Sequence, residues 1–168
     1  MQTENRITID APAARIYDLA ARIERWPEIL PHYRYVTLLR DEGDTRLAEM
    51  AATRDGFPVK WVSIQELFPA THGIRFRHVR GVTRGMDVEW IIEPNPDDPT
   101  GGVLVRIVHL FDPPWPRPLG PLAARYVVGG LFVHTIANRT LRRIKELAEG
   151  EQVVGRESEV GSSAGAGA

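Results

Sequence analysis

Six strand-like runs separated by very short turn segments fill the middle of the chain, and they limit its fold more than any other feature. The runs lie at residues 35–40, 45–54, 58–68, 73–80, 85–93 and 103–111. Turns this short join antiparallel neighbours, because a parallel connection needs a crossover of a dozen or more residues. An alternating run at 4–10 adds a seventh strand. The sequence therefore predicts an α+β protein built on one seven-stranded antiparallel sheet.

Helical patterns flank these strands on both sides. After the first strand, Ala11-Pro12 begins a helix with Asp10 as its N-cap. Trp26-Pro27 breaks that helix, and a second short helix over 28–32 follows it and ends at Tyr33. After the last strand, 119–149 repeats apolar residues at spacings of four and three, which predicts one long helix.

The width of the predicted sheet implies a space that one helix cannot fill. Seven strands at a spacing of ~4.8 Å span roughly 30 Å, whereas a helix is only about 10–12 Å thick. Twist curls the sheet around the long helix, yet the cover stays incomplete. We therefore expect either bulky side chains or a ligand to occupy the remaining space.

Strand alternation indicates which side chains face this space. On three strands, one face is apolar and aromatic with a few neutral polar groups. Its residues are Val59, Trp61, Ser63 and Gln65, then Met86, Val88, Trp90 and Ile92, and finally Val103, Val105, Ile107, His109 and Phe111. Such a lining suits a flat, largely apolar ligand held by few hydrogen bonds.

Length, charge and cysteine content narrow the function classes. The chain has 168 residues, no cysteine and a formal net charge of −1. The length predicts one domain, over 4–149, and the Gly/Ser/Ala-rich end predicts a disordered tail over 150–168. A chain without cysteine has no disulfide, thiolate metal site or cysteine nucleophile. The near-neutral charge disfavours binding to nucleic acid.

The sequence also bears on the location of the protein and on metal binding. The opening residues lack the basic–apolar–small pattern of a signal peptide, and no long uncharged apolar stretch occurs. We therefore expect a cytoplasmic protein. The five histidines show no metal-ligand spacing, so we predict no metal and no other cofactor.

Residues 7–36 resemble a known family. Their sequence, ITIDAPAARIYDLAARIERWPEILPHYRYV, has Ala-Pro after the first strand, Trp-Pro after the helix and a tyrosine seven residues after the tryptophan. It resembles the opening of the polyketide aromatase/cyclases of the START, or birch-pollen-allergen-like, superfamily. The later KWVS, the Met86…Trp90 strand and the final helix fit the same layout, so the resemblance covers about residues 4–149. It implies a helix-grip fold, in which a curved sheet wraps around the C-terminal helix and encloses a deep pocket.

The resemblance also implies pocket residues. Carried over position by position, they are Trp26, Leu30, Tyr33, Trp61, Ser63, Arg77, Met86 and Trp90. In the family the pocket is thought to hold a poly-β-ketone, and an arginine and a tyrosine are proposed to assist enolisation and dehydration. One position departs from the family, because Gln65 stands where those enzymes have an arginine. A neutral amide supplies no fixed positive charge to an enolate.

Four polar residues are candidates for chemistry in the pocket. Arg77 donates to a carbonyl or enolate oxygen if it points inward, and otherwise belongs to a solvated edge with its neighbouring arginines. Tyr33 acts as an acid or a hydrogen-bonding lid residue, or only packs. His109 and His134 lie on apolar faces of the last strand and the long helix, where they form an acid/base pair or a polar anchor, or are satisfied core residues. Of these, Arg77, Tyr33 and His109 are the predicted catalytic residues.

The sequence is compatible with two functions. In the first, the chain binds a hydrophobic aromatic or lipid-like small molecule and, as an enzyme, cyclises or dehydrates a polyketide. In the second, the chain resembles the coenzyme-Q-binding START proteins and is a non-enzymatic carrier of a quinone, isoprenoid or lipid. On this interpretation, the protein contacts a membrane through residues 126–133. The predicted ligand contacts are Trp26, Leu30, Trp61, Ser63, Gln65, Met86, Trp90, Phe111 and His134. The sequence does not predict an oligomeric state.

Overall fold

The computed structural model describes residues 2–54, 56–97, 101–111 and 132–163. Within these ranges, one antiparallel sheet of seven strands is flanked by helices. The strands are β1 Gln2–Ile9, β2 Tyr33–Asp41, β3 Thr45–Arg54, β4 Phe57–Phe68, β5 Gly73–Gly81, β6 Met86–Pro94 and β7 Val103–Phe111. The helices are α1 Ala13–Ala21, α2 Trp26–Ile29 and α3 Phe132–Ser163, with 3₁₀ turns at Ile23–Arg25 and Pro69–Thr71.

The sheet has the predicted topology. Its strand order is β1-β7-β6-β5-β4-β3-β2, so hairpin neighbours follow one another from β2 to β7 and β1 pairs with β7 at the end of the series. Every strand lies within two residues of its predicted bounds. The short turns fix this order because each leaves room only for an antiparallel partner. The curved sheet and its C-terminal helix confirm the predicted helix-grip fold.

One glycine brings β5 close to β4 at the end of the sheet where the site lies. Gly81 has φ +94°, and a Cβ there would lie 2.5 Å from the backbone oxygen of Lys60. A side chain at this position is therefore excluded both by conformation and by space. The backbone of Gly81 pairs with Trp61, and the register of β4 against β5 shifts between Val62 and Ser63.

The first helices begin at different positions from those predicted. Pro12, not Asp10, is the N-cap of α1 and makes no side-chain hydrogen bond there. The backbone N–H of Asp10 instead donates to Oε1 of Glu149 at 2.8 Å. The prediction that Trp26-Pro27 breaks the first helix is also wrong, because α1 has already ended and this pair begins α2. Proline is well accommodated in the first turn of a helix, which explains why it starts one here.

The C-terminal helix is longer than predicted at its far end. It continues to Ser163, so the predicted end at Glu149 is wrong. The predicted start of this helix at residue 119 falls outside the described residues. The division into a domain over 4–149 and a tail over 150–168 stays a prediction.

Hydrogen bonds hold α3 against β1 and α1. Nζ of Lys145 donates to the backbone oxygen of Thr8 at 2.7 Å. The guanidinium of Arg15 donates to the backbone oxygens of Leu147 and Ala148 at 3.1 and 3.2 Å. These contacts fix the middle of α3 over one end of the sheet, and the site described below lies under the preceding turns of the helix.

Candidate functional site

An internal cavity of about 70 Å³ lies between the sheet and α3. Aromatic rings form much of its wall, together with methionine and aliphatic side chains and a few polar groups. Its described lining residues are Trp26, Tyr33, Met50, Trp61, Phe76, His78, Thr83, Met86, Val88, Trp90, Ile107, His109, Ile136, Ala137 and Thr140. The predicted space therefore exists, but it is well below the ~300–1,000 Å³ of typical small-molecule sites. Bulky side chains occupy most of what the helix leaves open.

Trp26 is the centre of the aromatic wall. Its ring centroid lies 4.9 Å from that of Tyr33, 6.1 Å from Phe76 and 6.2 Å from Trp90. Its indole N–H donates to the backbone oxygen of Leu19 at 3.2 Å, so the polar atom of the ring is satisfied by α1. These separations are those of tilted and edge-to-face aromatic pairs. The start of α2 thus fixes a large ring against three others at the cavity.

His78 is a buried, uncharged histidine on the wall formed by β5. Its Nδ1 lies 2.6 Å from Oγ1 of Thr83, and its ring stacks on Trp61 at 5.7 Å with an interplanar angle of 9°. Burial, with a smaller contribution from His109, lowers the pKa of His78 to about 3. The imidazole is therefore neutral at pH 7 and can donate one hydrogen bond and accept one.

Tyr33, Thr140 and His32 form a second polar group, which spans the cavity wall. Burial raises the pKa of Tyr33 and its hydrogen bond with Thr140 opposes that rise, so the side chain remains a phenol. Nε2 of His32 lies 2.9 Å from Oγ1 of Thr140. Burial, followed by the positive charge of Arg139, lowers the pKa of His32 to about 4. These polar groups are all uncharged at neutral pH.

The structure brings six of the predicted site residues together. Those that line the cavity are Trp26, Tyr33, Trp61, Met86, Trp90 and His109. They come from α2, β2, β4, β6 and β7, so residues far apart in the sequence meet at one end of the sheet. On β6 and β7, Val88 lies directly opposite His109, which places both on the inner face.

Arg77 is not at the cavity, and the prediction that it acts on a bound substrate is wrong. Its side chain is 64% exposed, and its Nε lies 2.9 Å from Oδ1 of Asp87. Phe76 and His78 on either side of it face the cavity, so Arg77 must point to the outer face of β5. The described cavity-lining residues therefore include no arginine.

Other predicted contacts are buried but lie away from the cavity lining. Leu30 and Phe111 belong to the packed core. The hydroxyl of Ser63 lies 3.5 Å from the sulfur of Met50. Nε2 of Gln65 donates to the backbone oxygen of Ala21 at 2.9 Å and so ties β4 to the end of α1. None of these four residues is among the described lining of the cavity, so their predicted contact with a ligand stays a prediction.

One further prediction falls outside the described part of the chain. The backbone of His134 belongs to α3, but its side chain is not described, so its predicted contact with the ligand stays a prediction.

Several cavity residues were missed, and one signal could have revealed some of them. On β5, the alternation of Ile74, Phe76 and His78 marks the inner face as clearly as on the other strands. Thr83 and Thr140 give no such signal. They lie in a turn and on a helix, and only the folded chain brings their hydroxyls to the two histidines.

The next two findings concern metal binding and membrane spanning by the described residues. None of their His, Asp and Glu side chains forms a group of three or more that could hold a metal ion. Among the described helices, none is sufficiently long and apolar to cross a membrane.

Known proteins with related sequences include proteins named as polyketide cyclases. A model of the family described as "Polyketide cyclase / dehydrase and lipid transport" matches residues 9–136. A Streptomyces halstedii protein whose name marks it provisionally as a polyketide cyclase is 33% identical over 108 residues, 62% of this chain and 94% of that protein. The granaticin polyketide synthase bifunctional cyclase/dehydratase of Streptomyces violaceoruber is 30% identical over 139 residues, 73% of this chain. The chain spans only 43% of the length of that enzyme.

A solved structure shows the same fold. The crystal structure of Zhui aromatase/cyclase from Streptomyces sp. R1128 matches with a TM-score of 0.75 over 89% of this chain and 93% of that chain, at 20% identity. The family match covers most of the chain and confirms the resemblance seen in residues 7–36. The chain belongs to the polyketide cyclase/dehydrase and lipid transport family.

Proposed function

We propose that the chain binds a planar, oxygen-bearing aromatic or polyketide ligand in the cavity and catalyses its cyclisation or dehydration. The observation that carries this proposal is the placing of Tyr33, His78 and His109 within a wall of aromatic rings. Flat rings pack well against a conjugated skeleton, and the polar groups match ketone and hydroxyl oxygens. A ligand that bears oxygen atoms can form further hydrogen bonds with Tyr33 and His78 beside those to Thr140 and Thr83, whereas a plain hydrocarbon chain cannot.

Two uncharged donors would hold the carbonyl oxygens of such a ligand. Tyr33 stays protonated because its pKa is raised, and His78 is neutral because its pKa is lowered to about 3. A neutral imidazole N–H polarises a carbonyl without giving up its proton. In a cavity lined mostly by apolar groups, such donors stabilise the charge that develops on an enolate oxygen. They would take over the role that the family resemblance gives to an arginine.

His109 is the proposed acid/base. It removes a proton from a carbon between two carbonyl groups, and the resulting enolate carbon attacks a second ketone of the same molecule. One carbon–carbon bond forms, and the alkoxide takes the proton from the imidazolium. In the dehydration step, His109 removes a second proton from the same carbon, the imidazolium passes that proton to the hydroxyl group, which leaves as water, and a carbon–carbon double bond forms. The net change is the loss of one water molecule.

The wall must move to admit a polyketide, because the cavity holds only about 70 Å³. Met50 and Met86 line it, and unbranched thioether side chains repack more readily than rings do. We propose that these two methionines change rotamer when the ligand binds.

The alternative of a non-enzymatic quinone, isoprenoid or lipid carrier is less well supported by the lining. The family description includes lipid transport, but Tyr33, His78 and His109 favour an oxygen-rich ligand over a hydrocarbon chain. Residues 126–131 of the proposed membrane-contacting run lie outside the described residues, so membrane contact stays a prediction. A cytoplasmic location also stays a prediction.

Ligand binding can be tested with 1,8-dihydroxynaphthalene, a planar diol, under an oxygen-free atmosphere. We expect it to quench tryptophan fluorescence and raise the melting temperature, because Trp26, Trp61 and Trp90 line the cavity. Tyr33→Phe and His78→Gln should each weaken binding about tenfold by removing a hydrogen-bonding group. Tyr35→Phe is the matched control, since the Tyr35 hydroxyl donates to Glu49 instead. Equal affinity in all four proteins would contradict the proposed site.

Catalysis needs a separate assay with a poly-β-ketone generated in situ. His109→Gln and Tyr33→Phe should shift the products toward those of spontaneous cyclisation, whereas Tyr35→Phe should give the wild-type products. Mass spectrometry of the product mixture measures this. An unchanged product distribution in both site variants would remove the proposed roles of His109 and Tyr33, and a wild-type mixture identical to that of the spontaneous reaction would show that the chain does not catalyse cyclisation.

A further inference from the structure

A threonine in the turn between β5 and β6 is buried at the cavity, although turn residues normally face solvent. Thr83 is 1% exposed, whereas its neighbours Val82 and Arg84 are both exposed. A backbone bond closes the turn over the site, because the N–H of Gly85 donates to the backbone oxygen of His78 at 3.0 Å. The turn therefore holds a hydroxyl group inside the molecule, where burial without a hydrogen-bond partner would be costly.

The partner of this hydroxyl is the ring of His78. Oγ1 of Thr83 lies 2.6 Å from Nδ1 of His78, and stacking on Trp61 holds the plane of the imidazole. Bonds from a nitrogen donor to an oxygen are usually about 2.7–3.2 Å long, whereas bonds donated by a hydroxyl reach about 2.5 Å. In the opposite arrangement, the hydroxyl proton would also need a second acceptor inside the molecule. The geometry therefore favours Thr83 as the donor and Nδ1 as the acceptor.

An accepting Nδ1 determines where the proton of His78 lies. A neutral imidazole carries one proton, on one of its two ring nitrogens, and the bond made by one nitrogen fixes the state of the other. His78 is neutral at pH 7, since burial lowers its pKa to about 3. With Nδ1 accepting, the proton lies on Nε2. The N–H that His78 offers to a ligand is then the one at Nε2.

We propose that Thr83 is a positioning residue that fixes His78 in the tautomer with its proton on Nε2, and that the site thereby selects ligands with a carbonyl oxygen. A carbonyl oxygen only accepts hydrogen bonds, so it matches an N–H and is repelled by a bare ring nitrogen. The other tautomer would present an unprotonated Nε2 and would favour a hydroxyl group instead. This inference rests on the proposed function, because it determines which oxygen groups the same cavity binds.

The fixed tautomer also separates the roles of the two histidines of the cavity. His109 lies near enough to His78 to help lower its pKa, and both line the cavity. The proposed reaction needs one histidine that exchanges a proton and one donor that keeps its proton. The partner of Nδ1 in His78 is a neutral hydroxyl, which does not favour the imidazolium as a carboxylate would. His78 is therefore suited to polarise a carbonyl group while His109 acts as the acid/base.

Nitrogen NMR of the ligand-free protein tests the tautomer directly. In protein labelled with nitrogen-15 at histidine, long-range correlations between ring protons and ring nitrogens at pH 7 distinguish protonated from unprotonated nitrogens. The signals of His78 are identified by their loss in His78→Gln. We expect a protonated Nε2 and an unprotonated Nδ1 in the wild-type protein. A proton on Nδ1, alone or together with one on Nε2, would overturn the proposal.

Variants of Thr83 assign the tautomer to its hydroxyl group. Thr83→Val keeps the branched shape but removes the donor, so the proton of His78 should move to Nδ1 or be shared between the two nitrogens. Thr83→Ser keeps the hydroxyl and should keep the wild-type tautomer. Thr71→Val is the matched control, because the Thr71 hydroxyl is exposed and donates to the backbone oxygen of Phe68 in another turn. An unchanged tautomer in a folded Thr83→Val protein would also overturn the proposal, and the wild-type measurement decides it if that variant does not fold.

Two ligands connect the tautomer to binding. 1-Tetralone and tetralin share a bicyclic skeleton and differ by one carbonyl oxygen. Thr83→Val should weaken the binding of 1-tetralone about fivefold, through loss of one hydrogen bond, and leave that of tetralin unchanged. Thr83→Ser and Thr71→Val should bind both compounds as the wild type does. An equal loss for both compounds in Thr83→Val would show that Thr83 only supports the shape of the cavity, which would overturn its proposed role.

The two measurements separate failure of this inference from failure of the proposed function. If neither 1-tetralone nor 1,8-dihydroxynaphthalene binds the wild-type protein, the proposed function is wrong and the selection of carbonyl ligands is wrong with it. The NMR measurement needs no ligand and still decides the tautomer in that case. If 1-tetralone binds but the proton of His78 lies on Nδ1, the proposed function stands and the role given to Thr83 is wrong.

Discussion

The two ends of the core are built from different side chains, and the described cavity lies at only one of them. Beneath residues 141–149 of α3, the core is aliphatic and fully buried, as Ile9, Ile16 and Ile144 show. Beneath residues 136–140, the core is made of large rings set at an angle to one another, and the cavity lies among them. Protein interiors are generally packed to the density of an organic crystal, so the cavity among these rings is a local departure from close packing.

The polar contacts of the two ends differ in the same way. At the packed end, Lys145 and Arg15 donate to backbone oxygens, so these bonds hold the elements of the fold together. At the cavity end, the bonds His32–Thr140 and His78–Thr83 join side chain to side chain. Side-chain partners can be exchanged for the oxygens of a ligand without loss of backbone structure. The difference supports the proposal that stability and binding belong to separate ends of one core.

The largest expected effect comes from the same substitution made at both ends. Ile144→Ala should lower the free energy of unfolding by about 3 kcal/mol, because it opens a void in a fully packed region. Ile136→Ala should cost only about 1 kcal/mol, since Ile136 already faces a cavity and has fewer neighbours to lose. Urea unfolding measures both. Equal losses would show that the two ends are packed alike.

The pH dependence of stability should sharpen the comparison, because the buried neutral His78 belongs to the cavity end. The pKa of His78 falls from 6.5 to about 3 and that of His32 to about 4 in the folded chain, so the unfolded chain takes up protons first. Stability is therefore complete above about pH 6.5 and falls as the pH drops toward these values, by up to about 1.4 kcal/mol per pH unit for each histidine. Urea unfolding between pH 7 and pH 5 should show a smaller slope in His78→Gln. An unchanged slope would mean that His78 is protonated in the folded chain.

Gln65 tests whether a buried polar residue on the inner face belongs to the packed end. Gln65→Leu should lower the free energy of unfolding by about 1 kcal/mol through loss of the bond to the Ala21 oxygen. The affinity for 1,8-dihydroxynaphthalene should not change, because Gln65 does not line the cavity. A loss of affinity larger than the loss of stability would instead place Gln65 in the site.

The smallest effect is expected on the outer face. Arg77→Ala removes an exposed ion pair with Asp87, and such pairs contribute about 0–1 kcal/mol. Stability and product distribution should both stay close to those of the wild type. A marked change in the products would restore Arg77 as a catalytic residue.

The sheet and half of the site could be predicted from sequence because the signals are local. Alternation and short turns located every strand, and the same alternation placed Trp61, Trp90 and His109 on the inner face. The same alternation puts Arg77 on the outer face, because its neighbours Phe76 and His78 both face the cavity. The ability of a guanidinium to stabilise an enolate does not outweigh this pattern.

The rest of the site depends on contacts that no local pattern contains. The bond between His32 and Thr140 joins residues 108 positions apart, and it forms only because α3 returns across the sheet beside β2. Gln65 and Ser63 share the periodicity of Trp61, so the sequence alone cannot show where along β4 the cavity ends.

Filling the cavity with a larger side chain is the most direct test of the cavity end of the core. Ala137 lines the cavity and Ala148 is fully buried at the packed end, so the substitution of leucine can be compared on one helix. Ala148→Leu should lower the free energy of unfolding by about 1–3 kcal/mol through overpacking and keep the affinity for 1,8-dihydroxynaphthalene. Ala137→Leu should leave stability near the wild-type value and abolish binding of the diol. Wild-type affinity in a stable Ala137→Leu protein would contradict the claim that the ligand occupies this cavity.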